Sequence, residues 1–329
     1  MQSSDNLETI NRDWIEEIEN AERRIRPDIL HTPLLYSPYL SSLSNGRVFL
    51  KMESEQYTGS FKARGSLNKL RWLQKSRNSF YPVTASTGNH GLGFARSLDL
   101  MGIDGRIYLP ETAVKSKIEA IRAYETVEVE FYGREPHRTE IHARKQAEEN
   151  KNWVYVSPYN DPQVIAGQGT IAIELLEDLK RPDHVLATVG GGGLISGLGA
   201  YLKSRLPDIR LVGCQPENSP EMSVCVRADA YREIETQPTL SDGSAGGFDP
   251  DSVTFDLCRQ LVDQFILVTE EGIRRSIRLM IDRHGKMVEG SAAVAVSAFI
   301  KNVKMFQGDT TVIVICGGNI SRETLKSVL

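Results

Sequence analysis

Short runs of β-branched and apolar residues recur along this chain, at 47–52, 81–86, 105–110, 127–132, 153–157, 184–189, 210–215, 265–269 and 311–316. Segments with helical patterning fall between them, at 91–100, 113–124, 139–150, 167–179 and 270–284. That alternation predicts an α/β chain of open, mostly parallel twisted sheets with flanking helices. Two of the strand candidates run straight into glycine, TAS into TGNHG at 87–91 and HVLATV into GGGG at 190–193. Each glycine-rich turn follows a strand and opens a helix, so each marks the switch point of its own sheet, where ligands bind outside the carboxyl ends of the strands. Two switch points imply two sheets and two domains. No internal repeat or low-complexity linker interrupts the pattern.

A chain of 329 residues, 40% hydrophobic, fills a substantial core. Its formal charge of -4 and its scattered lysines and arginines give no basic face for a phosphate backbone, so no nucleic acid is expected, and a small-molecule partner is. The amino-terminal 25 residues are acidic and helical in pattern, with no basic segment followed by an apolar run, and no window of about 18 apolar residues occurs anywhere. Neither secretion nor a membrane span is expected. Cys214, Cys225, Cys258 and Cys316 lack CxxC spacing, which argues against a zinc ribbon or a disulfide framework and for a reducing cytoplasm.

Four segments carry the chemistry: TGSFKARG at 58–65 with Lys62, STGNHG at 86–91, GGGG at 190–193 and CGGN at 316–319. Singly each is weak, since glycine turns are common and a lone lysine is usually a solvated charge. Four consecutive glycines after an apolar strand leave backbone N–H groups unshielded beside a helix amino end, which suits a phosphate dianion. The register is not GxGxxG, and the nearest acidic residue for a ribose, Asp208, sits in a turn, so a dinucleotide loop is disfavoured.

In this order the four segments resemble those of the pyridoxal-phosphate enzymes of the tryptophan synthase β-like type (fold type II), within the serine/threonine dehydratase and serine racemase family. The resemblance runs from HTPL at 31–34 to CGGN. It implies a large cofactor-binding domain made of residues 1–79 and 158–329, a small inserted domain at 80–157, and the cofactor in the cleft between them. It implies further that the Lys62 amine, preceded by Phe61, bonds the cofactor aldehyde and removes the substrate α-proton, a task for a lysine whose pKa is lowered. Gly190, Gly191, Gly192 and Gly193 then hold the phosphate, Asn89 meets the phenolic oxygen, Cys316 faces the pyridine nitrogen, and Gly243 packs against the ring. The backbone N–H groups of Ser86, Thr87, Gly88, Asn89 and His90 receive the substrate carboxylate. For the His90 side chain a structural role is expected over a catalytic one, because the lysine already serves as base.

Further positions are matched by the same resemblance. Lys117 and Arg138 fall at basic positions near the active-site mouth, although solvated surface charge explains each equally well. Many relatives bind a cation after the strand at 210–215. There Gln215 replaces the usual first carboxylate, leaving Ser219 and Glu221, so K⁺ is expected over Mg²⁺. A homodimer or homotetramer is expected.

A thiol at Cys316 does not enforce protonation of the pyridine nitrogen, which favours elimination over transamination. The expected activity is therefore a dehydratase (ammonia-lyase) turning L-threonine or L-serine into a 2-oxo acid and ammonia. Racemisation is the alternative. Thr87 stands where racemases of the family carry a serine on the cofactor face opposite the lysine, and it keeps the hydroxyl on a stiffer, β-branched residue. The loop SDGSAGGFDP at 241–250 resembles those of dehydratases for larger β-hydroxy amino acids, phenylserine dehydratase and the hydroxyectoine-utilisation dehydratase among them; 3-hydroxyaspartate is a further candidate. A pyridoxal-phosphate-binding sensor without turnover is the non-enzyme alternative.

Overall fold

The computed structural model describes residues 2–329, with side chains from residue 13 onward. Its strands are β1 (Leu34–Tyr36), β2 (Arg47–Lys51), β3 (Tyr81–Ala85), β4 (Gly105–Leu109), β5 (Val127–Phe131), β6 (Trp153–Tyr155), β7 (His184–Thr188), β8 (Arg210–Pro216), β9 (Gln264–Val268) and β10 (Thr310–Val314). They form two sheets. A six-stranded sheet runs β1-β2-β10-β7-β8-β9 and a four-stranded sheet runs β5-β4-β3-β6. Every pairing is parallel except β1 with β2, where Leu34 faces Lys51. Helices separate the parallel strands, as the alternation in the sequence requires.

Burial follows strand position. β7 and β10, central in the large sheet, are buried at every residue and read HVLAT and TTVIV. β5 lies at an edge and reads VEVEF; its acids Glu128 and Glu130 take the Arg106 guanidinium at 2.7 Å each. Among the helices, Gly290–Lys301 (GSAAVAVSAFIK) is apolar all round and buried along most of its length, behind β7, β8 and β9. Helix Pro162–Asp178 starts where its sequence announces it. Asp161 accepts from the Gln163 and Val164 N–H groups, and Pro162 occupies the first helical position. Apolar residues from both faces of the large sheet form one core, and Leu70, Phe94, Leu98 and Ile107 centre another beneath the small sheet.

The strand order sets where a ligand fits. In the small sheet the chain moves from β3 outward through β4 to β5 and then returns to the other side of β3 with β6. In the large sheet it moves from β7 through β8 to β9 and returns beside β7 with β10. The two reversals fall at the carboxyl ends of β3 and β7, where STGNHG and GGGG begin. Among the described residues no helix is long and apolar enough to cross a membrane.

Candidate active site

Lys62 is placed by backbone pairing. Gly59 turns the chain at φ 71°, Ser60 bridges to Gly317, and the Phe61 N–H donates to the Cys316 carbonyl at 3.1 Å. Helix Lys62–Ser76 starts at the next residue, so the lysine stands on the first turn of a helix, beside the loop that follows β10. Its half-buried side chain donates from Nζ to the Pro158 carbonyl at 2.7 Å. Burial lowers the amine from its ordinary value to about 8, against the opposing pull of Cys316 and Glu289. A fraction of it is thus an unprotonated base near neutral pH.

Helix Asn89–Met101 begins at the carboxyl end of β3 with Gly88 as a cap that offers no side-chain acceptor, which leaves its first-turn N–H groups open. Ser86 Oγ accepts from the Gly88 N–H at 3.2 Å. The Asn89 side chain points its Nδ2 at Glu289, 2.9 and 3.0 Å from the two carboxylate oxygens, and its Oδ1 accepts from Asn319 Nδ2 at 2.7 Å. His90 turns the opposite way. Its Nε2 is 3.0 Å from both Thr84 Oγ1 and the Val156 carbonyl, and its Nδ1 faces Ser66 Oγ at 3.4 Å. Burial, with the Lys62 charge adding to it, brings the imidazole down to about 3, so it stays neutral and braces the turn. Only the backbone of His90 is oriented for a ligand. Thr87 is half-buried, and its hydroxyl has no hydrogen bond among the described residues.

The tetraglycine follows β7, with Gly192 at φ 86° capping helix Gly193–Arg205. A Cβ on Gly191 would lie 2.4 Å from the Tyr159 ring, and one on Gly190 would lie 2.8 Å from the Ser244 carbonyl oxygen. Side chains are excluded here by protein neighbours, a reason the sequence alone does not show. Cys316, 3% exposed, lies two residues past β10, and burial pushes its thiol well up, so it is neutral. Gly243 sits in the short 3-10 turn Asp242–Ser244, where a Cβ would come within 2.9 Å of Ser291 Oγ.

Two basic positions diverge. Lys117 reaches across to Asp242 at 3.4 Å, from the helix Lys115–Arg122 beside the small sheet to the loop that carries Gly243. Arg138 does not join the site: its side chain is 74% exposed and pairs with Glu135, one turn back on the surface. The cation position does not fit a divalent ion. Ser219 Oγ donates to both Glu221 oxygens, at 2.9 and 2.8 Å, and Gln215 Oε1 accepts from the Ser223 N–H, which leaves a single carboxylate. Among the described residues no group of three or more His, Cys, Asp or Glu is arranged to hold a metal.

Sequence reasoning missed Glu289 and Asn319. Glu289 is 6% exposed and stands at the start of the buried helix Gly290–Lys301. Burial, with Asp242 adding to it, raises its carboxyl to about 7, opposed by Asn89, the Asn319 N–H and Lys117. An acid opening an otherwise apolar helix, in VEGSAAVAV, was the available signal. In sequence, Asn319 is only the last residue of the CGGN motif.

The assembled groups fit pyridoxal phosphate: a depressed lysine amine, a glycine cradle that any Cβ would fill, an amide donor and a neutral thiol. Comparison with known proteins agrees. The family described as pyridoxal-phosphate dependent enzyme matches residues 25–317. The chain is 37% identical to the L-threonine ammonia-lyase of Thermotoga maritima over 318 residues, 96% of this chain and 78% of that protein. The processed form of threonine deaminase isoform 2 from Solanum lycopersicum superposes with a TM-score of 0.91 at 28% identity, covering 99% of this chain and 93% of the other. Maize serine racemase superposes with a TM-score of 0.88 at 28% identity, covering 95% of each chain. With this match running through both sheets, the chain belongs to the pyridoxal-phosphate dependent enzyme family.

Proposed function

We propose that this protein is an ammonia-lyase (dehydratase) for a small β-hydroxy amino acid, L-threonine or L-serine, releasing a 2-oxo acid and ammonia. The observation that carries the reading is the Lys62 amine at about 8, held beside a neutral thiol at Cys316. When bound, pyridoxal phosphate supplies an electron sink for the carbon that loses its proton. Lys62 would hold its aldehyde, Gly190 to Gly193 its phosphate, Asn89 its phenolic oxygen and Cys316 its ring nitrogen, with Phe61 and Gly243 against the ring. The N–H groups of the turn at residues 86–90 would hold the substrate carboxylate, that of Gly88 after leaving Ser86 Oγ, and the charge of Lys117 draws an anion to the mouth.

Lys62 Nζ takes the α-proton. A neutral Cys316 thiol beside the ring nitrogen would not enforce its protonation, so the cofactor would supply a weaker electron sink, suited to prompt loss of the β-hydroxyl. The substrate loses the α-proton and the hydroxyl as water; the enamine left behind takes water back and divides into 2-oxo acid and ammonia. The names of the Thermotoga and tomato relatives support threonine as the substrate. Racemisation is the second reading, supported by the free Thr87 hydroxyl and by the likeness to maize serine racemase. A larger substrate has support in the loop at 241–250, where Gly246 and Gly247 face open space within 4 Å.

The test is a panel of L-serine, L-threonine, 3-hydroxyaspartate and phenylserine, with 2-oxo acid and D-amino acid measured together. Fast 2-oxo acid release from threonine or serine is expected. D-amino acid without 2-oxo acid would replace the reading with a racemase, and a spectral shift without product would replace it with a sensor.

The same reading includes the division into residues 1–79 with 158–329 and an inserted 80–157, supported by the separate small sheet. It includes a cytoplasmic location, supported by four free, buried cysteines. A homodimer or homotetramer is proposed, supported by the exposed Tyr36, Tyr57 and Met287 and checked by light scattering. At Glu221 a single carboxylate suits K⁺ over Mg²⁺, and adding back each salt to dialysed protein separates them.

A further inference from the structure

Glu289 is a buried charge that the proposed reaction leaves without a task. A buried carboxylate is costly unless its lone pairs are taken, and the surroundings of this one are arranged to take them. Gly317 gives it room, since a Cβ there would lie 2.4 Å from Glu289 Oε1. Asn89 Nδ2 donates to it, and Asn319 closes the circuit by donating from Nδ2 both to Asn89 Oδ1 at 2.7 Å and to the Thr58 carbonyl at 2.8 Å. Gly59 in turn gives room to Asn319, whose Oδ1 would stand 2.5 Å from a Cβ at that position. A glycine of TGSFK and a glycine of CGGN thus both serve one hydrogen-bonded chain.

The chain fixes the Asn89 amide at both ends. The two oxygens of one carboxylate are too close together to face both hydrogens of an NH₂ group, so a single N–H is shared between them. The second N–H has no protein acceptor among the described residues. Were Glu289 absent, the amide could rotate and offer its oxygen instead.

We propose that Glu289 is a positioning residue, which with Asn319 locks the Asn89 amide so that its remaining N–H is committed to the cofactor's phenolic oxygen. The inference rests on the reading that places this oxygen at Asn89. The lock needs the ionised form. Asp242 from the 3-10 turn, Lys117 from the small-sheet side, Lys62 from its helix and Cys316 from the loop after β10 all face this carboxyl, which titrates at about 7. As pH falls through that value a proton turns one oxygen into a donor that competes with the Asn89 N–H, and the lock weakens.

The experiment is a double-mutant cycle of Asn89→Ala and Glu289→Ala on the purified full chain titrated with pyridoxal 5'-phosphate. It reads cofactor Kd and the pH midpoint of the visible band, with a thermal melt to check folding. Either single variant is expected to weaken binding roughly tenfold and to move the band midpoint in the same direction, while the double variant adds less than about threefold. Glu289→Gln keeps the shape and is expected to fold; it should abolish the spectral change near pH 7. Additive losses, or an unaltered pH profile in Glu289→Gln, overturn the proposal. A wild-type protein with no visible band at all overturns the functional reading, so the two failures are distinct.

Discussion

The Phe61 N–H and the Cys316 carbonyl are joined by a 3.1 Å hydrogen bond, which ties the residue before Lys62 to the residue that carries the buried thiol. With the neighbouring bridge from Ser60 to Gly317 it sews the start of the helix Lys62–Ser76 to the loop after β10. The Cα positions of Lys62 and Cys316 are thus tied together through backbone.

Replacing Lys62 by Ala abolishes the visible cofactor band and turnover while the circular dichroism spectrum stays native. The free protein also gains stability from Lys62→Met. The folded amine titrates at about 8 and the unfolded one at 10.5, so at pH 7 folding works against burial of a charge, and the penalty fades as pH rises through that window. A Tm increase of about 2 °C or more at pH 7, vanishing above the unfolded value, is expected in differential scanning calorimetry without cofactor.

Arg64, two residues on, is fully buried between Glu53 at 2.8 Å and Glu174 at 2.7 Å, with Lys51 also on Glu174 at 2.7 Å. Removing the guanidinium strands the buried Glu53 carboxylate and takes one of three cations from Glu174, which keeps Lys51 and Arg26, so Arg64→Met should cost about 3–5 kcal/mol in urea unfolding. Burial alone would raise the Glu174 carboxyl, but Arg64 and Lys51 outweigh it and bring it to about 2. Its contribution is complete above the ordinary 4.5 and is lost as pH falls from there towards 2, so acid unfolding of the wild type should be steep in that window. A flat profile between those values counts against the network.

Gly191→Leu drives a side chain into the Tyr159 ring, and Gly192→Val combines a φ of 86° with contacts at 3.0 Å to Cys258 and Thr254. Both variants should lose cofactor on dialysis, and Gly192→Val should in addition melt at lower temperature. Full cofactor retention in both would place the phosphate elsewhere.

Thr87 is expected to set the balance between elimination and racemisation. The wild type should yield mainly 2-oxo acid; Thr87→Ser should raise D-amino acid, and Thr87→Ala should remove it while sparing dehydration. A positioned proton donor contributes roughly 10²- to 10⁴-fold, which chiral chromatography resolves. Equal loss of both products in Thr87→Ala would mean that the residue binds substrate instead.

Lys117 and Arg138, indistinguishable as basic residues in sequence, should separate in kinetics. Lys117→Ala breaks the pair with Asp242 and should raise KM, whereas Arg138→Ala, on a 74% exposed side chain, should leave kcat/KM within about twofold. Equal effects would bring Arg138 back to the mouth of the site.

Much of the architecture was legible because it is written in local periods. The strand at 184–189 and the helix at 270–284 appear within a residue of their expected ends, as β7 and Glu270–His284, since apolar runs and capping residues act over a few positions. The glycine-rich turns were legible for the same reason: a strand that ends on glycine and opens a helix announces a switch point by itself. Lys62, Asn89 and Cys316 stood out by residue type within those turns. What local pattern could not contain was which loops meet. That Glu289 would face Asn89, that Asn319 would bridge Asn89 to Thr58, that Pro158 would receive the Lys62 amine, and that Arg138 would point to solvent all follow from pairings between segments far apart in the chain. Sequence determined the elements, their order and the chemical groups offered at the strand ends, because propensity and periodicity act between neighbours. Only the tertiary structure decided which of those groups share a cleft and what charge each carries there, because burial and hydrogen bonding between distant loops set both.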